Sequence, residues 1–251
     1  MTFEFSSEQQ ALQARARAAA QERIAPLADA IDTDAAIPAT LGLDDVLGTA
    51  GTDVNRVIVI EELAAVSAAA GAAAGLRHAG VTLDAAAEAD LPGLRGLGGV
   101  DAALAAASPA VASSAHVVLA AVAVGIGRAA VDQALAAMRA SGDRASGNAD
   151  ARPAWALSDA ATEVEGARLL TMKAAQAVAK GNGASDARLA KLFAADVAGR
   201  AVDTALRILG PEGYRRGTLT ERLTRDARTI ALIGGTAESE RASVAAATLP
   251  A

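Results

Sequence analysis

The sequence predicts an all-α fold, and three observations predict it. Apolar residues recur at helical spacing through most of the chain, and Gly, Pro and Asn fall in short clusters between the periodic stretches. The core must be built from Ala, Leu and Val, because the 251 residues include only three Phe, one Trp and one Tyr. With so few rings to bury, close helix contacts through small side chains are the packing mode expected. At 52% hydrophobic residues the chain has ample material for a core of this size.

Phe5-Ser-Ser-Glu opens a helix: Ser6 or Ser7 can cap the orphan amides, and Glu8 lies favourably in the first turn. That helix should run to about Ile24 and continue past Pro26 with a bend, before Pro38 and Gly42 break the chain. Residues 58–74 carry apolar residues at helical spacing around Glu61 and Glu62. Neighbours on a helix point about 100° apart, so these two acids are expected not to face one site. From residue 75 to 115 the composition shifts to Gly, Pro, Ala and isolated acids. Short helices over 82–89 and 100–107 are expected there, and no alternating run suggests a sheet. Four helices should follow, over 109–140, 153–180, 185–209 and 218–247, and their short loops imply antiparallel neighbours in a four-helix bundle. The organisation expected is an N-terminal helical domain over 1–80, a connector over 81–115 and the bundle over 116–251.

Composition also bounds function. The chain has no cysteine, which excludes disulfides and thiolate chemistry and fits a reducing cytoplasm. A net charge of −6 without a basic run argues against nucleic acid as a partner. The first residues lack a basic n-region, so no signal peptide is expected. The apolar run 117–127 is about half the length of a membrane span, so it is read as a buried helix. No metal site is expected.

Several motifs then stand in a fixed order: Phe5-Ser-Ser-Glu-Gln with Ile24-Ala-Pro-Leu-Ala, Ile60-Glu-Glu-Leu-Ala, and LAAVAVGIGRAAVDQAL from Leu119. LSDAATEVEGARLLT follows from Leu157, AKLFAADVAGRAVDTALRILG from Ala190, ERLTRDART from Glu221 and GGTAESER from Gly234. In order and spacing they resemble the acyl-CoA dehydrogenase family, over about four-fifths of the chain. The resemblance implies that family's helical N-terminal half and C-terminal four-helix bundle. The interval between the halves is too short for the family's middle β-domain, which supplies one wall of the flavin site and much of the acyl-CoA channel.

The resemblance also implies where chemistry should be. The family's usual base, a carboxylate preceding Gly-Thr, corresponds to Gly234 in Gly234-Gly235-Thr236. The alternative base position, on the first bundle helix, is Ala115, so neither place holds a proton acceptor. His116 stands where the family often has an arginine; it is the titratable candidate there, with a plain packing role as the simpler reading. An Arg-x-x-Phe-Gly flavin motif corresponds to Asp143-Arg-Ala-Ser-Gly147, where an acid replaces the arginine and Arg144 is the neighbouring cation. The second flavin motif corresponds to Arg207-Ile-Leu-Gly-Pro-Glu-Gly-Tyr214, in which Pro211 removes an amide and Glu212 adds negative charge. Remnants of a cofactor site are then Arg144, Gly210, Gly213, Gly235 and Thr236. Glu163, Glu165 and Arg168 are read as polar contacts on or between helices, and His78 as a loop residue.

Three functions are open on this reading. The first is a degenerate, non-catalytic acyl-CoA dehydrogenase-like subunit, which forms a homodimer or higher oligomer or joins a full-length paralogue. The second is an enzyme that holds FAD only when a partner completes the site. The third is a flavin-free enzyme or binding protein that reuses the cavity. No cofactor is expected for the isolated chain. Association is expected because helices 119–138 and 190–209 would leave apolar faces uncovered once the β-domain is gone.

Overall fold

The computed structural model describes residues 4–34, 41–48, 50, 53–83, 97, 99–140 and 152–249, and among them all regular structure is helical. Helix α1 (Ser7–Ala19) starts on a capping box. Ser6 Oγ accepts from the Gln9 amide at 3.2 Å, and Gln9 Oε1 accepts from the Ser6 amide at 3.1 Å. The chain then winds through a π-helical turn, Ala20–Ile24, and a 3-10 turn, Ala25–Leu27, into the short α2 (Ala28–Ile31). The bend expected at Pro26 is this change of helix type, which tolerates a residue without an amide donor. A short α3 (Asp44–Gly48), not anticipated from the sequence, follows.

Where one helix was expected over 58–74 there are two, α4 (Asp53–Val66) and α5 (Ala68–His78). Ser67 separates them: its backbone is extended, and its Oγ accepts from the Ala70 amide at 3.3 Å. A hydroxyl that looked like a helix-interior residue acts as a cap. Helix α6 (Val100–Ala106) matches the expectation for 100–107, whereas the helix expected over 82–89 lies outside the described residues apart from Thr82 and Leu83.

The C-terminal half contains α7 (Pro109–Ala140), α8 (Arg152–Ala179) and α9 (Ala184–Leu209), close to their expected bounds. The fourth expected helix, 218–247, is instead α10 (Leu219–Ile230) and α11 (Ala237–Thr248). Between them Gly234 and Gly235 have φ of +74° and +115°, left-handed backbone that a continuous right-handed helix cannot contain. The bundle α7–α10 therefore carries a fifth helix, which packs against α9.

Helix α7 is the axis of the molecule. It packs most extensively against α9, then against α4, α8, α5 and α10, and a single core cluster runs from Leu12 to Ile233. The expected domain boundary at 116 falls inside this helix. At 32 residues α7 is the one helix among those described that is long and apolar enough to cross a membrane, longer than the run 117–127 suggested. Its most apolar window is 72% buried within the fold, which makes it a core helix. Of the stretch 119–138 expected to leave an apolar face uncovered, every residue as far as Gly127 is buried by the chain's own helices, whereas Val131, Leu135 and Met138 are only half-buried. Helix α9 does leave Phe193 exposed.

Close approach of α4 to α7 depends on Gly125. A Cβ there would stand 2.8 Å from both the Ala64 Cβ and the Glu61 carbonyl oxygen, backbone that cannot retreat. Gly125→Ala should therefore lower stability by about 1–3 kcal/mol, despite a gain in helix propensity of about 1 kcal/mol. Gly166→Ala on α8, where a Cβ meets nothing within 4 Å, should instead raise it by up to about 1 kcal/mol. Urea midpoints of the two variants should move in opposite directions.

Candidate functional site

The turn between α10 and α11 is held from four sides. The Gly234 amide donates to Asp101 Oδ1 on α6 at 2.7 Å, and the Gly234 carbonyl lies 3.0 Å from His116 Nε2 on α7. Lys191 Nζ on α9 donates to the Gly235 carbonyl. Glu240 on α11 turns back under the turn, with Oε1 3.4 Å from His116 Nε2 and 3.0 Å from Arg188 Nη1. His116, Lys191 and Glu240 are all buried. A buried charge must be paired or neutralised, and here the pairing is mutual.

The electrostatics follow from burial against these partners. Burial pushes the Glu240 carboxyl up, but the hydrogen bond and charge of His116, with Arg188 and Lys191, outweigh it and hold it below the usual carboxylate range. For Lys191 burial wins: its ammonium is pushed down from the usual lysine value, against the attraction of Glu240 and Asp101. His116 Nδ1 lies 2.6 Å from the Ala112 carbonyl oxygen, so both ring nitrogens face acceptors. Neither is left to take a proton from a substrate. The histidine singled out in the sequence is a tie between α7 and the 234–235 turn.

The two expected base positions are closed as well as empty of carboxylate. A Cβ at Gly234 would stand 2.5 Å from Leu119 Cδ1 and 3.5 Å from Leu104 Cδ1, so a side chain there points into the core. Ala115 is fully buried.

The cofactor remnants each have a local explanation. Gly210, at φ +63°, ends α9, and Gly213 is buried in the 3-10 turn Gly210–Tyr214 against Leu206 and Leu209. Glu212 pairs with Arg215 at 2.7 Å on the surface. Thr236 Oγ1 caps α11 by accepting from the Ser239 amide at 3.4 Å, and the space a Cβ would need at Gly235 is taken by Glu240. Asp143, Arg144 and Gly147 lie outside the described residues. A flavin pyrophosphate needs amide donors and positive charge. The described remnants offer an amide-free Pro211, the Glu212 carboxylate paired with Arg215, and a turn filled by Glu240.

Sequence reasoning missed Lys191, Arg188, Glu240 and Asp101. Lys191 carried a usable signal, since it falls on the buried stripe of α9 with Ala187, Ala190, Ala194 and Ala198. The reading of Glu61 and Glu62 also needs correction. Both are buried, and Arg128 reaches both, at 2.6 Å from Glu62 Oε1 and 4.0 Å from Glu61 Oε2. A long guanidinium spans the angle between neighbouring positions that was taken to separate them. Arg168, read as an inter-helix contact, donates to Glu61 at 2.9 Å and stacks 4.6 Å over the Phe5 ring. Burial pushes Glu61 up to about 7 against the attraction of Arg168 and Arg128. Burial also opposes Glu62, but hydrogen bonds from Arg17, Arg128 and Gln13 hold it below the usual range. This second cluster ties α4 to α1, α7 and α8.

The all-helical fold matches the helical domains of acyl-CoA dehydrogenases. The description "Acyl-CoA dehydrogenase, C-terminal domain" matches residues 112–249, more than half of the sequence, and the chain belongs to the acyl-CoA dehydrogenase family. A 3-sulfinopropanoyl-CoA desulfinase of Variovorax paradoxus is 40% identical over 91 residues, covering 36% of this chain and 23% of that protein. A 3-(aryl)acrylate reductase of Clostridium sporogenes is 38% identical over 130 residues, covering 51% of this chain and 34% of that protein. The matched segments thus span about a quarter to a third of these relatives' lengths. Butyryl-CoA dehydrogenase of Megasphaera elsdenii has a similar fold, with a TM-score of 0.76 at 16% identity over 99% of this chain and 100% of that one. A glutaryl-CoA dehydrogenase complex gives 0.77 at 18% identity over 99% and 96%.

The depressed Glu240 carboxyl has a pH consequence. The unfolded chain binds its proton at a higher pH than the folded one does, so the stability it contributes is complete above the ordinary carboxyl value of about 4.5. That contribution is lost as the pH falls through the lower folded value. Glu240→Gln should cost about 3–5 kcal/mol near neutrality, the penalty of breaking a buried charge pair. The gap in urea midpoint between wild type and variant should narrow only below about pH 4.5.

Proposed function

We propose that this chain is a non-catalytic, acyl-CoA dehydrogenase-like subunit whose role is assembly, with a second copy or with a full-length, flavin-bearing paralogue. The observation that carries the reading is the closed turn. At Gly234 a side chain would meet Leu119, and the neighbouring space is filled by Glu240 in its contacts with His116 and Arg188. Family catalysis needs a carboxylate positioned against substrate and flavin, and precise placement contributes much of the rate. Here the position is spent on structure.

Two rival readings have less support. An enzyme completed by a partner would need that partner to supply the base as well as the missing wall, since a side chain at Gly234 would meet Leu119. A flavin-free catalyst using His116 would need a free ring nitrogen, and both are engaged. Assembly is favoured by the oligomeric habit of the family and by the exposed Trp155, Phe193 and Leu232. With no cysteine in the sequence, we place the protein in the cytoplasm.

Purified chain should show no flavin absorption and no acyl-CoA-dependent reduction of an electron acceptor. Gly234→Glu should remain inactive and lose at least about 2 kcal/mol of stability, from a left-handed non-glycine backbone and the collision with Leu119. A yellow protein that reduces an acceptor with any saturated acyl-CoA would overturn the reading. So would a Gly234→Glu variant that gains activity.

A further inference from the structure

Glu61 and Glu62 are neighbours on α4 and both are buried, yet they are held differently. Glu62 accepts four hydrogen bonds among the described residues: from Gln13 at 2.8 Å, from Arg17 at 3.1 and 3.3 Å, and from Arg128 at 2.6 Å. The Glu61 carboxyl accepts one, from Arg168 Nε to Oε2 at 2.9 Å, and its Oε1 is buried with no partner. Arg128 adds its charge from 4.0 Å without a hydrogen bond to that carboxyl. Hydrogen bonds to the charged form are what keep a buried carboxylate ionised. Four donors fix Glu62 as an anion, and one leaves Glu61 able to take a proton.

The Arg168 side of the contact is incomplete in the same way. Its guanidinium meets Glu61 through Nε alone, and Nη2 is buried without a partner. The two-bond fork, the strong form of an arginine–carboxylate pair, is absent. A second acceptor stands close by: Nη1 lies 3.7 Å from Oε2 of Glu165, one turn back on α8, whose side chain is 58% exposed. The Phe5 ring stacks 4.6 Å from the same guanidinium, so its position also bears on the segment that leads into α1.

We propose that Glu61 is a proton-operated latch between α4 and α8: ionised, it holds Arg168, and protonated, it releases the guanidinium to Glu165. The other charged groups on elements packed against α4 do not compete for this role. Arg128 of α7 and Arg17 of α1 are committed to Glu62. Residues 68–76 of α5 carry no titratable side chain, and His78 at its end faces Asp53 and Arg56, which pair with each other. Glu8 and Arg15 of α1, Glu22 and Arg23 of the π-helical turn, and Asp44 and Asp45 of α3 are exposed. The latch does not depend on the assembly reading.

The pH range follows from burial, which outweighs both arginines and pushes the Glu61 carboxyl up to about 7 from an ordinary value of 4.5. The folded value is the higher one, so the stability contributed by this proton is complete below 4.5 and is lost as the pH rises through about 7. The latch works across neutrality.

The test follows Arg168 in the full chain by NMR of its Nε–H, with urea unfolding of wild type and Glu61→Gln alongside. The Arg168 signal should titrate once near pH 7, slow to exchange with water above it and rapid below it. Glu61→Gln, neutral at every pH, should show the low-pH behaviour throughout. Relative to that variant, the wild-type unfolding equilibrium constant should rise about tenfold per pH unit between 4.5 and about 7 and then level off. Glu165→Gln removes the receiving carboxylate and should move the Arg168 titration to lower pH. If Glu61→Gln does not fold, the wild-type Arg168 titration decides alone. An Arg168 signal unchanged from about pH 5 to about pH 9 would overturn the proposal. So would the same pH dependence in wild type and Glu61→Gln, or an Arg168 titration that Glu165→Gln leaves in place.

Discussion

The contact between Glu240 and His116 is the interaction on which the C-terminal half of the molecule depends. It joins the last helix to the central one beside the 234–235 turn. A carboxylate buried without compensation would be driven to neutrality, yet here His116, Arg188 and Lys191 hold it in its charged form. The consequences reach outward from that charge. Lys191 is anchored on the Gly235 carbonyl, Asp101 takes the Gly234 amide, and the turn is fixed in a backbone conformation suited to glycine. The geometry that closes the turn also leaves no room for a side chain at Gly234.

The second constraint is steric. Alanine and glycine on α7, α4 and α9 let helices approach until backbone meets side chain, as at Gly125 against Glu61 and Ala64. Such a core has little apolar surface per residue, so it depends on density of contact. It also gives polar ties weight: the Glu61–Glu62 cluster connects four helices. This packing buries every residue of α7 from Ala115 to Gly127 within one chain.

Most of the fold could be read from the sequence, because helical periodicity and glycine punctuation are local signals. The bounds of α7, α8 and α9 followed from them, and so did the absence of alternating strands. What was missed depended on partners distant in sequence. Ser67 reads as helix interior unless the alternative hydrogen bond to the Ala70 amide is considered, and Gly234-Gly235 reads as a degraded motif before it reads as a helix break. Glu61 and Glu62 seemed to diverge because the reach of an arginine from α7 was not counted. The candidate site was legible only in what it lacks. Gly234 and Ala115 were singled out from the resemblance alone, but the cluster at the turn required Lys191 and Glu240 to be brought together from 49 residues apart in the chain.

The central claim is that the 234–235 turn is locked by the buried, cooperative contact between His116 and Glu240. A double-mutant cycle on His116→Ala and Glu240→Ala, read as urea unfolding free energies at neutral pH, measures that pair directly. The account predicts a coupling of at least about 1 kcal/mol, as expected for residues in one buried network. Free energies that add to within about 0.3–0.5 kcal/mol would mean the two side chains act independently, and would contradict it.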